Sequence, residues 1–263
     1  MPLPWGERLG EPLCNSVQSA GAVTLDPRGF LGDSYFVDSL NTRVQAEFDN
    51  EACSSHIRHH LQHDSSKRPQ LTRLDISRSI LGRYVLIPTQ KFSDLSVQKF
   101  SNITYPEMLR AAARFCEERS MPLVIKVHPH LDGAERDEQI ALIRVLQQAH
   151  TDIFESKSSI NLLASHALFT VTLNGGTLMD NFYTSTPVLT LARGFFHNTD
   201  VVRGMSRLLR EELPWPQTRK FRQKHIVCWY NRMSLKSYNS PARNVAILQE
   251  HIDALRLPRS IVL

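Results

Sequence analysis

The sequence predicts an α/β protein with a doubly wound parallel sheet that follows a short irregular segment. From about residue 83 onward, short apolar runs alternate with amphipathic stretches, which is the pattern of strands joined by covering helices. Residues 1–80 instead contain recurring Gly, Pro and Ser and only short apolar runs. We therefore predict an irregular N-terminal subdomain, residues 1–80, and a sheet domain with a C-terminal helical tail, residues 81–263.

The spacing of apolar residues predicts each element of the sheet domain in turn. Strands are predicted at residues 84–88, 123–127, 152–154, 168–172 and 187–191. Helices are predicted at residues 105–119, 135–149, 158–165, 175–183 and 242–255. The alternation of the two sets is typical of a Rossmann-like sheet. The last helix has an apolar stripe that begins at Val245, which predicts that this side is packed.

The composition excludes several classes of protein. With 263 residues, 41% hydrophobic and 22% charged, the chain is neither disordered nor fibrous. No stretch approaches the run of about 20 apolar residues that crosses a bilayer, and the N-terminus lacks the apolar core of a signal peptide. We expect a soluble, cytoplasmic protein. Four dispersed cysteines without a C-x-x-C pair argue against a disulfide framework and a zinc knuckle.

The formal charge of +5 indicates an anionic partner. Much of the basic excess lies in the C-terminal third, but the aromatic residues near it match no nucleic-acid recognition motif. Nucleic acid is therefore not expected. A nucleotide, an anionic sugar or an anionic lipid surface satisfies the same charge.

Candidate functional residues follow the predicted strands, because ligands of an open parallel sheet collect at the carboxyl ends of its strands. Lys126 and His128 can stabilise a leaving phosphate, and Asp94 and Asp180 are carboxylates that can deprotonate a hydroxyl. The turn Asn174, Gly175, Gly176 and Thr177 offers backbone N–H groups at a helix start, which is typical of a phosphate site. It fits equally well a tight turn with Thr177 as the helix cap.

A histidine cluster in the N-terminal segment permits a metal site but does not favour one. His56, His59, His60 and His63 share roughly one helical face. Their flanks are polar, and no carboxylate or cysteine completes a known ligand spacing. We interpret the segment as a solvated linker and predict no metal.

The series of motifs resembles the bacterial capsular-polysaccharide synthesis family that includes the β-Kdo transferases. The resemblance runs over about residues 20 to 200, and its specificity comes from the order of short motifs. The motifs are the stretch from Ala22 to Asp33, the loop from Tyr84 to Gln90 with Asp94, Lys126 to Pro129, Thr172 to Asp180 leading to Pro187, and Gly194 to Phe196. This chain departs from the family pattern at Thr89, Ser93, Val127 and Asp180.

The resemblance implies a glycosyltransferase of the two-domain GT-B type, of which this chain holds the C-terminal half. It implies a nucleotide-sugar donor, with CMP-Kdo in the best-known branch of the family, and a polysaccharide or glycolipid acceptor, with no cofactor or metal. Asp94 and His128 are then catalytic, whereas Gln90, Lys126, Asn174, Gly175, Gly176, Thr177 and Asp180 bind the nucleotide and its phosphate. A peripheral position at the inner membrane face, within a capsule-assembly complex, fits such an acceptor.

Two other classes remain open. The roughly 80 residues before the first strand do not hold a complete Rossmann half, since one βαβ unit takes about 30 residues or more. A shortened, non-catalytic protein that binds a nucleotide or a glycan is therefore an alternative. A different α/β enzyme, such as an epimerase or a phosphotransferase, is another. The sequence has neither G-x-x-x-x-G-K-[ST] nor G-x-G-x-x-G, which disfavours P-loop and dinucleotide-binding proteins.

Overall fold

The computed structural model describes residues 24–26, 34–38, 71–93, 97–98, 101–129, 131, 133–174, 177–192, 235–236 and 240–256. The strands, in chain order, are β1 (Thr24–Asp26), β2 (Ser34–Asp38), β3 (Val85–Pro88), β4 (Leu123–Lys126), β5 (Ile153–Ser156), β6 (Phe169–Thr172), β7 (Val188–Thr190) and β8 (Leu235–Lys236). The α-helices are α1 (Tyr105–Glu118), α2 (Gly133–Ala149), α3 (Ile160–His166), α4 (Thr177–Thr184) and α5 (Pro241–Arg256), and a 3-10 helix spans Arg78–Ile80.

The central sheet has five parallel strands in the order β5-β4-β3-β6-β7. The chain builds one side of the sheet from β3 through β4 to β5, then returns to the other side of β3 with β6 and β7. The direction of winding thus reverses between β3 and β6. This arrangement confirms the predicted Rossmann-like α/β fold, and the strand positions agree with the predicted ones to within about two residues.

Alternate residues of the central strands enter two separate cores, one on each face of the sheet. Val85 and Ile87 pack with α1 and α2 on one face, whereas Leu86 packs with Val124 and residues of α3 on the other. Every residue of β3, β4 and β6 is buried. A sheet covered on both faces favours apolar runs such as those of β3 and β4, whereas the buried Thr170 and Thr172 of β6 donate hydrogen bonds inside the protein.

Helix α1 begins where the sequence provides a complete set of start signals. Thr104 and Glu107 form a capping box, in which the Thr104 N–H donates to Glu107 Oε2 at 2.7 Å and the Glu107 N–H donates to Thr104 Oγ1 at 3.4 Å. Pro106 occupies the first turn, where its missing N–H costs no helical hydrogen bond. The helix therefore starts at a fixed residue beside β3.

The contacts divide the chain into two compact units, Met1–Asp49 with Cys228–Leu263 and Asn50–Val227. The first contains an antiparallel sheet in the order β1-β2-β8, which α5 contacts through β2 and β8. Residue 80, the predicted boundary, lies within the second unit, and that boundary stays a prediction. Pairing between β2 and β8 joins the C-terminal tail to the N-terminal segment, and a two-residue strand such as β8 has no recognisable sequence pattern.

The buried side of α5 also differs from the predicted one. Ile247 is fully buried, whereas Val245 is 64% exposed. Two positions along an α-helix correspond to a rotation of about 200°. The side chains of Val245 and Ile247 therefore point in nearly opposite directions, and Val245 does not lie on the packed side.

Hydrogen bonds join residues 71–75, which precede β3, to residues 157–159, which follow β5. Ser159 N–H donates to the Leu71 carbonyl at 2.8 Å, and Ser158 Oγ donates to Asp75 Oδ1 at 2.6 Å. Lys157 N–H donates to the other carboxylate oxygen of Asp75 at 2.7 Å. Burial acts to raise the pKa of Asp75, but hydrogen bonds from Ser156, Ser158 and Lys157 outweigh it and hold the pKa below its ordinary value.

We expect the hydrogen bonds to the Asp75 carboxylate to contribute less to stability in acid. A lowered folded-state pKa makes the Asp75 carboxylate stabilising above its ordinary pKa of about 4, and this contribution is lost as the pH falls through the lowered value. Asp75→Asn should therefore lose most stability relative to wild type at pH 7 and progressively less below pH 4. Urea denaturation across this range measures the difference. Glu155→Gln, which removes an exposed carboxylate nearby, is the control, and a difference that is the same at every pH would contradict the prediction.

Candidate active site

The reversal of winding between β3 and β6 positions the candidate site. All five strands run parallel, so the loops after β3, β4, β6 and β7 lie at one edge of the sheet. In open α/β sheets the ligand crevice lies outside the carboxyl ends of the two strands where the winding reverses. Gln90 follows β3 and Asn174 follows β6, so these two predicted residues flank that position.

A side-chain bridge joins Gln90 to the loop after β6. Gln90 Nε2 donates to Asn174 Oδ1 at 3.2 Å, and Gln90 Oε1 accepts from Asn174 N–H and from Thr172 Oγ1, each at 3.1 Å. Gln90 and Asn174 are 7% and 8% exposed, and Thr172 is fully buried. The amide group therefore joins the ends of β3 and β6 at the position where the winding reverses.

Helix α2 holds the same loop from another direction. Gln139 Nε2 donates to the Gln90 carbonyl at 2.8 Å. Glu135 Oε1 accepts from the N–H groups of Phe92 and Ser93, and its Oε2 accepts from Ser93 Oγ at 3.1 Å. The chain from Gln90 to Ser93 is thereby fixed up to the residue before Asp94. Asp94 itself, the predicted base, lies outside the described residues.

His128 adjoins the loop after β3 through its backbone. The His128 N–H donates to Thr89 Oγ1 at 2.7 Å, and the Thr89 N–H donates to the Lys126 carbonyl at 2.8 Å. Thr89 is almost fully buried and His128 is half-buried. These bonds bring the loops after β3 and β4 together and leave part of the His128 residue accessible to solvent.

Lys126 lies beside the loop after β5. Its ammonium donates to the Ser158 carbonyl at 2.6 Å, and the residue is 6% exposed. Ser158 also donates to the Asp75 carboxylate, so Lys126 and Asp75 both bond to the same serine. The Lys126 ammonium thus takes part in the hydrogen bonds that link the segment before β3 to the sheet. Its predicted role in phosphate binding stays a prediction.

The start of α4 comes three residues after Asn174, and hydrogen bonds from Asn181 hold it in place. Asn181 Nδ2 donates to the Thr177 carbonyl at 2.7 Å, and Asn181 Oδ1 accepts from Thr170 Oγ1 at 2.5 Å, which ties the first turn to β6. The Thr177 hydroxyl is buried and has no hydrogen-bond partner within the described part of the chain. Asp180 is half-buried in the same turn. Gly175 and Gly176 lie outside the described residues.

Four polar residues of this arrangement were not anticipated from the sequence: Thr172, Glu135, Gln139 and Asn181. One signal was present for Gln139, which lies four positions before the buried Ile143 and hence on the apolar side of α2. A glutamine on the packed side of a helix needs a hydrogen-bond partner inside the protein. The remaining three have no such signal, because their partners are set by the packing of separate elements.

Within the described ranges, no group of three or more His, Cys, Asp or Glu residues could hold a metal ion. The histidine cluster of the N-terminal segment lies outside those ranges. Among the helices that the structure describes, none is long and apolar enough to cross a membrane.

Comparison with known proteins identifies the family. Residues 45–220 match the family model described as capsule polysaccharide biosynthesis protein, which is more than half of the chain. This chain belongs to the capsule polysaccharide biosynthesis family. A comparison of this capsule-synthesis chain with the curated proteins gave no match.

Two solved structures share the fold of this capsule-synthesis chain. The Thermosulfurimonas dismutans KpsC β-Kdo 2,4 transferase is 14% identical, with a TM-score of 0.55 over 84% of this chain and 78% of the other. The Thermosulfurimonas dismutans KpsC β-Kdo 2,7 transferase is 16% identical, with a TM-score of 0.51 over 91% of this chain and 83% of the other. The family resemblance inferred from the motifs is therefore confirmed.

Proposed function

We propose that this chain is a glycosyltransferase that moves a sugar from a nucleotide donor onto a capsular polysaccharide or glycolipid acceptor. The observation that carries the proposal is the bridge between Gln90 and Asn174 at the winding reversal between β3 and β6, shortly after which α4 begins. A helix start attracts anions through its free N–H groups and its dipole. Family membership and the fold shared with two Kdo transferases support the sugar-transfer chemistry.

The donor phosphate is proposed to bind at the start of α4. Gly175 and Gly176 supply backbone N–H groups there, and the buried Thr177 hydroxyl supplies a donor that no described protein group uses. His128 lies after β4, on the loop that is bonded to the loop after β3, and is proposed to donate a hydrogen bond or a proton to the leaving phosphate. Lys126 adds positive charge, and Asp180 orients the nucleotide by hydrogen bonds. No metal or cofactor is needed in this scheme.

Transfer itself is proposed to use Asp94 as the general base. The acceptor hydroxyl oxygen forms a bond to the anomeric carbon of the sugar while the bond from that carbon to the phosphate oxygen breaks. Asp94 takes the hydroxyl proton, and the electron pair of the broken bond leaves with the nucleotide. A cytidine nucleotide and Kdo are the proposed donor components. A cytoplasmic location, with peripheral contact to the membrane that carries the acceptor, belongs to the same proposal.

Nucleotide binding is tested by thermal shift with CMP, UMP, AMP and GMP. A bound nucleotide at about 100 times its Kd stabilises by about 2.7 kcal/mol, which corresponds to a Tm increase of about 5 °C or more for a chain of this size. We expect this increase with CMP. Thr177→Val should halve it or reduce it further, while the Tm without nucleotide stays within about 2 °C, because the hydroxyl bonds to no described group.

Thr72→Val, at an exposed position of the same unit, is the matched control. No Tm increase with any of the four nucleotides would contradict the proposal. The transfer reaction is then tested with a panel of nucleotide sugars and a polysaccharide acceptor, with released nucleotide as the signal.

A non-catalytic protein that binds the nucleotide is the second candidate function. It is favoured by Asp180, which stands where the family resemblance places a glutamate one methylene longer. Nucleotide-induced stabilisation without any released nucleotide from the donor panel would support it over the transferase.

A further inference from the structure

Two side chains on one side of α2 hold the loop that leads from β3 into the candidate site. Glu135 and Gln139 are four residues apart and therefore lie one above the other on the helix surface. Glu135 accepts hydrogen bonds from Phe92 N–H, Ser93 N–H and Ser93 Oγ. Gln139 donates to the Gln90 carbonyl at 2.8 Å. One helix thus makes hydrogen bonds to Gln90, Phe92 and Ser93 of a loop from another βαβ unit.

The groups that Glu135 holds are mainly backbone groups, and this determines what the contact does. A bond to the N–H groups of Phe92 and Ser93 sets the direction of the chain irrespective of the side chains there. The ring of Phe92 packs against Tyr105 from α1, with the ring centroids 4.9 Å apart, which constrains the same residue from a second direction. The chain direction at Ser93 is therefore set immediately before Asp94 in the sequence.

Loss of the contact between Glu135 and residues 92–93 should cost little stability. Ser93 is exposed and Glu135 is half-buried, so water can replace the bonds that the carboxylate makes. By contrast, Gln139 is fully buried, and truncating it removes a bond from the interior. Removing the Glu135 carboxylate should therefore change the position of the loop with little change in the stability of the fold.

We propose that Glu135 is a positioning residue for sugar transfer, which sets the path of residues 92–93, the stretch that leads directly into Asp94 in the sequence. This inference rests on the proposed function. Misplacing a catalytic group by about 1 Å costs on the order of 100-fold in rate. Binding of the donor depends on α4 and on the loop after β4, so it is left intact.

The test compares Glu135→Ala, Glu135→Gln and the control Glu138→Ala, which removes an exposed carboxylate three residues further along α2. For Glu135→Ala we expect kcat to fall by about 10- to 100-fold, with the donor KM within about twofold of wild type and the Tm within about 3 °C. Glu135→Gln retains an oxygen acceptor for the Phe92 N–H and should recover most of the rate. Glu138→Ala should match wild type.

Wild-type kcat in Glu135→Ala would overturn the inference, and so would a loss of kcat that Glu135→Gln does not recover. Hydrogen exchange separates this inference from the proposed function. Amide exchange at Phe92 and Ser93 should be faster in Glu135→Ala than in wild type or Glu138→Ala, whether or not the wild type turns over. An inactive wild type with this faster exchange would contradict the transferase alone, whereas unchanged exchange would contradict the role of Glu135.

Discussion

Gln90→Leu is expected to lower the free energy of unfolding of the sheet unit by about 3–5 kcal/mol. The substitution removes the hydrogen bonds that the Gln90 amide makes to the Asn174 N–H, to Asn174 Oδ1 and to the Thr172 hydroxyl, all at buried residues. A buried polar group that loses its partner costs about 1–3 kcal/mol. Urea denaturation at pH 7 measures the loss.

Gln148→Leu is the matched control, since Gln148 lies exposed on α2, and we expect its free energy of unfolding to stay within about 0.5 kcal/mol of wild type. Gln90→Glu is a second test of the same bridge. It keeps one acceptor oxygen but sets a carboxylate oxygen against Asn174 Oδ1, so it should also destabilise. A Gln90→Leu variant within 1 kcal/mol of wild type would show that the bridge does not hold β3 and β6 together.

Asp94→Asn is expected to reduce transfer by about 100- to 10,000-fold, the range found when a general base is removed. Asparagine has nearly the same shape as aspartate, but its neutral amide does not take the proton of the attacking hydroxyl group. The Tm increase caused by nucleotide should remain close to that of wild type, because the donor is proposed to bind at other loops. Single-turnover release of nucleotide in the presence of acceptor measures the rate.

Asp137→Asn, at an exposed position on α2, controls for the loss of one negative charge. Wild-type turnover in Asp94→Asn would remove Asp94 from the role of base. Loss of the nucleotide-induced Tm increase in the same variant would instead assign Asp94 to donor binding.

The elements of the sheet could be predicted because their signals are local. Buried strands such as residues 85–88 appear as short apolar runs, and α1 carries a capping box and a proline at its start. Gln90 and Asn174 were predicted as neighbours of one site because both follow strands of a parallel sheet. Their direct hydrogen bond joins residues 84 positions apart, and nothing in either local sequence specifies it.

The parts that were not predicted depend on contacts between distant segments. The ammonium of Lys126 lies against Ser158, which is 32 residues further along the chain, and its direction is set by the path of the loop after β5. Glu135 looks like any other charged residue in the first turn of a helix. The C-terminal helix belongs to one unit with the N-terminal segment, in which β2 pairs with β8 over two residues. The spacing of apolar residues does not indicate this pairing.

The amide bridge between β3 and β6 has a consequence for ligand selection. Both polar ends of the Gln90 side-chain amide are already bonded to protein groups, so the separation between the ends of β3 and β6 depends on the length of this side chain and on its hydrogen bonds. A ligand that widened the gap between these two strand ends would have to break those hydrogen bonds, and the free energy of its binding would be reduced by their loss.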